Sequence, residues 1–182
     1  MTHRYDSGSG FNTDGGIHEI PLPRAGRLWL CGKHYIAPRI DQVLDEFVLD
    51  HVVCLVERHE LAHRYDPYLE WLESNRGTRA TWRPLHDLTF PGIDDALRWL
   101  EPLHEMLMRG DRLVVHCAAG IGRAGTTATA LAMMQGMHAP DAMRLVRMHR
   151  PTAGPESGTQ QEFIGQLHDR LHGSGSVRSP LD

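Results

Sequence analysis

In VVHCAAGIGRAGTTA, residues 114–128, a cysteine closes an apolar run, glycines punctuate the turn that follows, and an arginine stands six positions after the cysteine. Small residues and glycines let successive backbone N–H groups converge on one concavity, and the start of a following helix adds partial positive charge. Such a cradle holds a tetrahedral anion such as phosphate, and its lining here would be Ala118, Ala119, Gly120, Ile121 and Gly122. Cys117 at its base is a candidate nucleophile, because the field that draws an anion also favours thiolate over thiol. Arg123, on the first helical turn, supplies a planar fork able to bind two oxygens of a phosphoryl group, which lysine does poorly.

Elements on both sides must hold this turn. RLWLCG (27–32), HVVCLVE (51–57), TWRPLHD (81–87) and DRLVVHC (111–117) read as short strands. Between the first two, Ile40, Val43, Leu44, Phe47 and Val48 recur at helical spacing, and a further helix is expected over 68–74. A long amphipathic helix is expected over 94–109, with Leu97, Leu100, Leu103, Met106 and Leu107 on one face. Helices starting near Gly125 and over PDAMRLVRMHR and QQEFIGQLHDRL complete the pattern. Strands alternating with helices predict an α/β domain with a central, mostly parallel sheet flanked by helices. In such sheets ligands gather outside the carboxyl ends of the strands, at strand-to-helix turns of the kind CAAGIGR occupies. The chain divides into a flexible arm (1–20), one domain (21–172) and a flexible tail (173–182).

Composition narrows the function classes. The 182 residues are 41% hydrophobic and 23% charged with a net charge of −4, which suits one globular domain with a sizeable core. Mild acidity and the lack of a Lys/Arg block argue against nucleic-acid and anionic-membrane partners. Three scattered cysteines without a CxxC pair argue for reduced thiols rather than a disulfide framework or structural zinc. No signal core and no membrane-length apolar run is present, so a cytoplasmic location is expected; the oligomeric state is not legible, and a monomer is assumed. Lys33 is the only lysine, an arginine bias that suggests a bacterial genome.

His116-Cys117-x-x-Gly120-x-x-Arg123 resembles the signature of the cysteine-dependent protein tyrosine and dual-specificity phosphatases. The likeness runs from about Gly26 to Leu171 and is strongest to the compact kinase-associated phosphatase type. It implies a protein tyrosine phosphatase-like fold and hydrolysis of phosphotyrosine, with phosphoserine and phosphothreonine as further substrates, through a phosphocysteine and without metal or cofactor. The partner implied is a phosphoprotein or phosphopeptide. By the same resemblance Asp87 in PLHD is the general acid, His116 orients the loop and helps keep the thiolate charged, and Gln160 positions the hydrolytic water. Asp94 and Asp95 compete for the acid role, but they follow Pro91-Gly92 and precede an apolar-periodic run, as helix-start residues do. The family usually carries Ser or Thr directly after the arginine, to donate to the departing sulfur; this chain has Ala124, with Thr126 and Thr127 as distant substitutes.

Rival readings follow from the same residues. Ala124 raises a catalytically weak phospho-binding protein as the main alternative. A sulfurtransferase would also cradle a reactive cysteine, but the upstream acid and the five residues between Cys117 and Arg123 favour phosphoryl chemistry. Apolar Ala118, Ala119 and Ile121 disfavour phosphoinositides. His59-Glu60-Leu61-Ala62-His63 fits the HExxH zinc-hydrolase pattern, although it directly follows a strand and meets Pro67 soon after. Cys31 and Cys54 read as core residues, with a redox pairing of Cys54 to Cys117 as the lesser alternative.

Overall fold

The computed structural model describes residues 15–156 and 158–173. In chain order the elements are β1 (Ile17–Ile20), β2 (Arg27–Gly32), α1 (Lys33–Ile36), a short 3-10 turn (Ala37–Arg39), α2 (Ile40–Phe47), β3 (His51–Cys54), α3 (Arg58–Leu61) and α4 (Asp66–Ser74). There follow β4 (Ala80–Trp82), α5 (Ile93–Met108), β5 (Arg112–Cys117), α6 (Gly122–Met134), α7 (Ala139–His149) and α8 (Gly158–His172). The strands form one sheet in the order β1-β2-β5-β3-β4, parallel except for the β1–β2 pair. The α/β architecture read from the sequence is therefore present.

Side chains alternate across a strand, and here the alternation divides the core in two. Leu28 and Leu30 of β2, Val53 of β3 and Leu113, Val115 and Cys117 of β5 face α5 to α8. Trp29 and Cys31, Val52 and Cys54, and Val114 face α1 to α4. β5 lies between β2 and β3 and is apolar on both faces, which is what a central parallel strand requires. Its carboxyl end therefore opens between two flanking strands, with α6 rising from the turn.

Three expectations need correction. The arm was expected to extend to residue 20, but residues 17–20 form β1, which pairs with β2 from Ile17↔Cys31 to Ile20↔Leu28. The remainder of the arm, 1–14, and residues 174–182 of the tail lie outside the described residues. The strand expected over 51–57 ends at Cys54, and that over 81–87 covers only Ala80–Trp82, because Glu57 starts a helical turn and Pro84 has no N–H for a ladder. α6 begins at Gly122 rather than Gly125; Gly125 N already bonds Ile121 O at 2.8 Å. Gly125 serves packing, since a Cβ there would collide with the Gly154 backbone. Among the described residues no helix is long and apolar enough to cross a membrane.

Candidate active site

The turn between β5 and α6 is held by its carbonyls. Ala118 O accepts from Lys33 N (3.0 Å), Ala119 O from Arg150 Nη2 (2.8 Å), and Gly120 O from Arg150 Nε (2.7 Å). Ile121 O accepts from Gly125 N and Gly154 N. With the carbonyls tied outward, the backbone N–H groups of Ala118, Ala119, Gly120 and Ile121 have no acceptor among the described residues. This is the polarity an anion cradle needs. Gly120 allows it: its φ is +73°, and a Cβ there would run into the Cys31 carbonyl. Arg150, 4% exposed, was not identified from the sequence, where it reads as one more helix-end cation. Burial lowers its pKa, but guanidinium remains charged in proteins.

Cys117 is buried at the end of β5, facing the start of α6. Arg123 lies on the first turn of α6 and is 1% exposed. Its Nη1 donates to Glu60 Oε1 (2.8 Å) and Leu85 O (2.8 Å), and its Nη2 to Glu60 Oε2 (3.3 Å). Asp87 Oδ1 meets the same Nη2 at 3.1 Å, with its side chain 66% exposed. Arg123 Nε is buried and has no partner among the described residues. One corner of the guanidinium is thus anchored, while the Nε edge retains a free donor. Burial opposes the arginine charge, but Glu60, the Cys117 sulfur and Asp87 outweigh it and raise the pKa.

The loop that carries Asp87 is fixed on both sides. Leu85 N donates to Leu55 O (3.0 Å), and Phe90 N to Thr159 Oγ1 (2.9 Å). Thr89 N and Oγ1 both donate to His86 O, closing a tight turn around Leu88 at φ +60°. The rival acids are otherwise engaged in the first turn of α5: Asp95 takes Arg83 and Arg98, each at 3.1 Å, and Asp94 meets Arg170 at 3.7 Å. The N-cap itself is Gly92, so neither aspartate is the cap.

His116 faces away from Cys117, toward α4, where its Nε2 shares a 2.6 Å hydrogen bond with the Tyr68 hydroxyl. Burial holds its pKa down at about 3, so the ring is neutral at pH 7. A neutral ring on the opposite face of β5 is consistent with a part in orienting the strand end and loop through Tyr68. The same alternation argues against the redox pair. Cys54 and Cys31 are both in register with His116 and share its face, opposite that of Cys117. Burial also raises both thiols, Cys31 to about 12.

Gln160 is fully buried, and Gln161 is exposed. Gln160 Oε1 accepts from Glu156 N (2.9 Å) and Thr126 Oγ1 (3.3 Å), while its Nε2 has no partner among the described residues and lies beside Gly122. Neither threonine replaces the missing hydroxyl at Ala124. Thr126 Oγ1 donates to Gly122 O (2.8 Å) and Thr127 Oγ1 to Arg123 O (2.9 Å), each returning to its own helix.

Glu60 is the residue whose role the sequence reading did not find. It entered only through the disfavoured HExxH match; in the structure it is the partner of Arg123. The supporting helix is only Arg58–Leu61, Ala62 is extended, and His63 sits at φ +65°, so His59 and His63 do not share one helical face. The available signal was Glu57-x-x-Glu60, a capping-box spacing: Glu57 N donates to Glu60 Oε1 at 3.0 Å.

Comparison with known proteins agrees with this geometry. Human Dual specificity protein phosphatase 8 is 37% identical over 153 residues, 81% of this chain, and the chain spans 22% of that protein's length. Tk-PTP in its active form superposes with a TM-score of 0.65 at 28% identity, over 84% of this chain and 97% of that one. A kinase associated phosphatase with its catalytic cysteine changed to serine gives a TM-score of 0.72 over 90% and 98% of the chains, at 17% identity, a likeness of fold alone. Residues 28–169 match the family described as the dual specificity phosphatase catalytic domain, and the chain belongs to that family.

Proposed function

We propose that this domain hydrolyses phosphoprotein monoesters, phosphotyrosine foremost and phosphoserine or phosphothreonine as further substrates, through a phosphocysteine on Cys117. The phosphoryl oxygens lie in the N–H cradle and against the Nε edge of Arg123. The Cys117 thiolate attacks phosphorus, forming the S–P bond as the bond to the leaving oxygen breaks, and Asp87 protonates that oxygen. Water beside Gln160 then attacks phosphorus, Asp87 takes its proton, and the thiolate departs with inorganic phosphate released. The N–H groups and Arg123 stabilise the charge spread over the transferring group in both steps.

The observation that carries this reading is one turn that holds Cys117 at its start, four N–H groups without acceptors among the described residues, and Arg123 with a buried, unpartnered Nε at its end. The family membership and the relatives named dual specificity phosphatases support it. The test is hydrolysis of para-nitrophenyl phosphate and a phosphotyrosyl peptide, with EDTA present, by wild type, Cys117→Ser and Asp87→Ala. Metal-independent turnover abolished by the first change and reduced by the second is expected. Peptide binding without turnover in the wild type would overturn the enzymatic reading and leave a phosphate reader.

A further inference from the structure

α8 starts at the active site, where Gln160 is buried, and ends in a cluster of histidines that the reaction does not use. His168 and His172 stand one turn apart on α8 and meet His138, the residue before α7. One ring nitrogen from each lies within 4.8 Å of the others. The rings of His138 and His172 stack with centroids 4.8 Å apart, and those of His168 and His172 are also at 4.8 Å. His138 occupies the N-cap position of α7 without making a capping hydrogen bond, so helix capping does not account for it. His168 Nδ1 is buried with no partner among the described residues. A buried imidazole nitrogen without a partner calls for an explanation, and a bound ion or water is one.

The dimensions fit a metal. Tetrahedral zinc with bonds of about 2.0–2.1 Å holds its ligand nitrogens roughly 3.3–3.4 Å apart. Reaching that spacing from 4.8 Å or less asks for ring rotations that close each gap by no more than about 1.5 Å. No carboxylate belongs to the set: Asp141 is paired with Arg144 at 2.7 Å, and Asp94 with Arg170 at 3.7 Å. Three imidazoles select a borderline transition metal over magnesium or calcium, which require oxygen ligands. His138 and His172 are exposed, which leaves room for water as a fourth ligand. We propose that His138, His168 and His172 form a divalent transition-metal site of zinc type that clamps the carboxyl end of α8 to the start of α7.

The site is distinct from the phosphatase centre and stands whether or not the proposed reaction is correct. Its test is zinc titration of the full chain, stripped with EDTA and desalted, by calorimetry and thermal unfolding. One zinc per chain is expected, with Tm rising about 5–10 °C when free zinc exceeds Kd a hundredfold. His138→Ala and His172→Ala, both at exposed positions where folding is not at stake, should each weaken binding roughly tenfold or more. Cys117→Ser should bind zinc as wild type does, and magnesium should give no shift. Absence of zinc binding, wild-type affinity in both histidine variants, or loss of binding in Cys117→Ser would overturn the proposal.

Discussion

Arg123 is gripped by Glu60 through two contacts, Nη1 to Oε1 at 2.8 Å and Nη2 to Oε2 at 3.3 Å, which leave its Nε edge directed elsewhere. Arg123 therefore does not depend on substrate to order it. Burial pushes the Glu60 pKa up, but the Arg123 hydrogen bond, the Glu57 N–H and the charges of Arg123 and Lys33 prevail and hold it at about 2.

Glu60→Gln keeps the shape and removes the charge. The guanidinium loses its fixed orientation, and kcat/KM should fall by about a hundredfold, as small misplacements of a binding group do. The stability profile tests the same contact independently of activity. A carboxylate with a depressed folded-state pKa stabilises the fold above its unfolded pKa of about 4.3, and that contribution is lost as pH falls toward 2. Urea unfolding of Glu60→Gln should therefore lose less stability than wild type across that window. Equal profiles would show that the pair contributes nothing to folding.

Asp87 is exposed yet tied to Arg123 Nη2; in the proposed reaction an entering phosphate competes for that contact and frees the carboxyl to act as the acid. Asp87→Ala should lower kcat by about 10²–10⁴ for alkyl and tyrosyl phosphates, whose leaving groups need a proton. Aryl phosphates with acidic leaving groups should lose much less. A uniform loss across a leaving-group series would argue for a role in binding instead.

The sequence was most informative where one residue type carried one constraint. Runs such as RLWLCG and RLVVHC, apolar on both faces, are buried parallel strands and became β2 and β5 with little ambiguity. Cys117, the cradle and Arg123 were legible because they are local: a strand, a turn and a helix start are contiguous in the chain. Glu60 and Arg150 were not, since each reaches the site across long sequence separations, Glu60 from α3 and Arg150 from the end of α7. β1 was missed because His18 and Glu19 interrupt its apolar pattern, as a half-covered edge strand permits. The sidedness of His116 is implicit in period-2 alternation, yet a single strand does not say which face the nucleophile takes.

His116 provides a pH prediction. Its folded-state pKa of about 3 lies below the ordinary histidine value, so between these limits the unfolded chain binds the extra proton. Stability attributable to the ring is present above about pH 6.5 and is lost as pH falls toward 3. Between pH 7.5 and 5 the loss amounts to about 2 kcal/mol. His116→Asn should be less stable than wild type at pH 7.5 and show a flatter decline over that interval by denaturant unfolding. An unchanged slope would mean that the ring titrates normally.

Ala124 predicts that the second half of the proposed reaction is the slow one. In the proposed reaction, formation of the phosphocysteine uses the N–H cradle, Arg123 and Asp87 and needs no hydroxyl at position 124. Its breakdown expels the sulfur as an anion, and the hydroxyls of Thr126 and Thr127 already donate to Gly122 O and Arg123 O. The departing thiolate thus lacks a hydroxyl donor from this helix, and phosphoenzyme should accumulate. Rapid mixing with a saturating aryl phosphate should give a burst of phenol near one equivalent before a slower steady state. Ala124→Ser places a hydroxyl one residue after Arg123, at a buried position on the first turn of α6. A hydrogen bond to a charged group is worth about 1.5–3 kcal/mol, so the steady rate should rise roughly tenfold to a hundredfold while the burst rate constant changes little. A wild-type enzyme without a burst, or a serine variant with an unchanged steady rate, would place the slow step before the phosphoenzyme and remove Ala124 from the account of turnover.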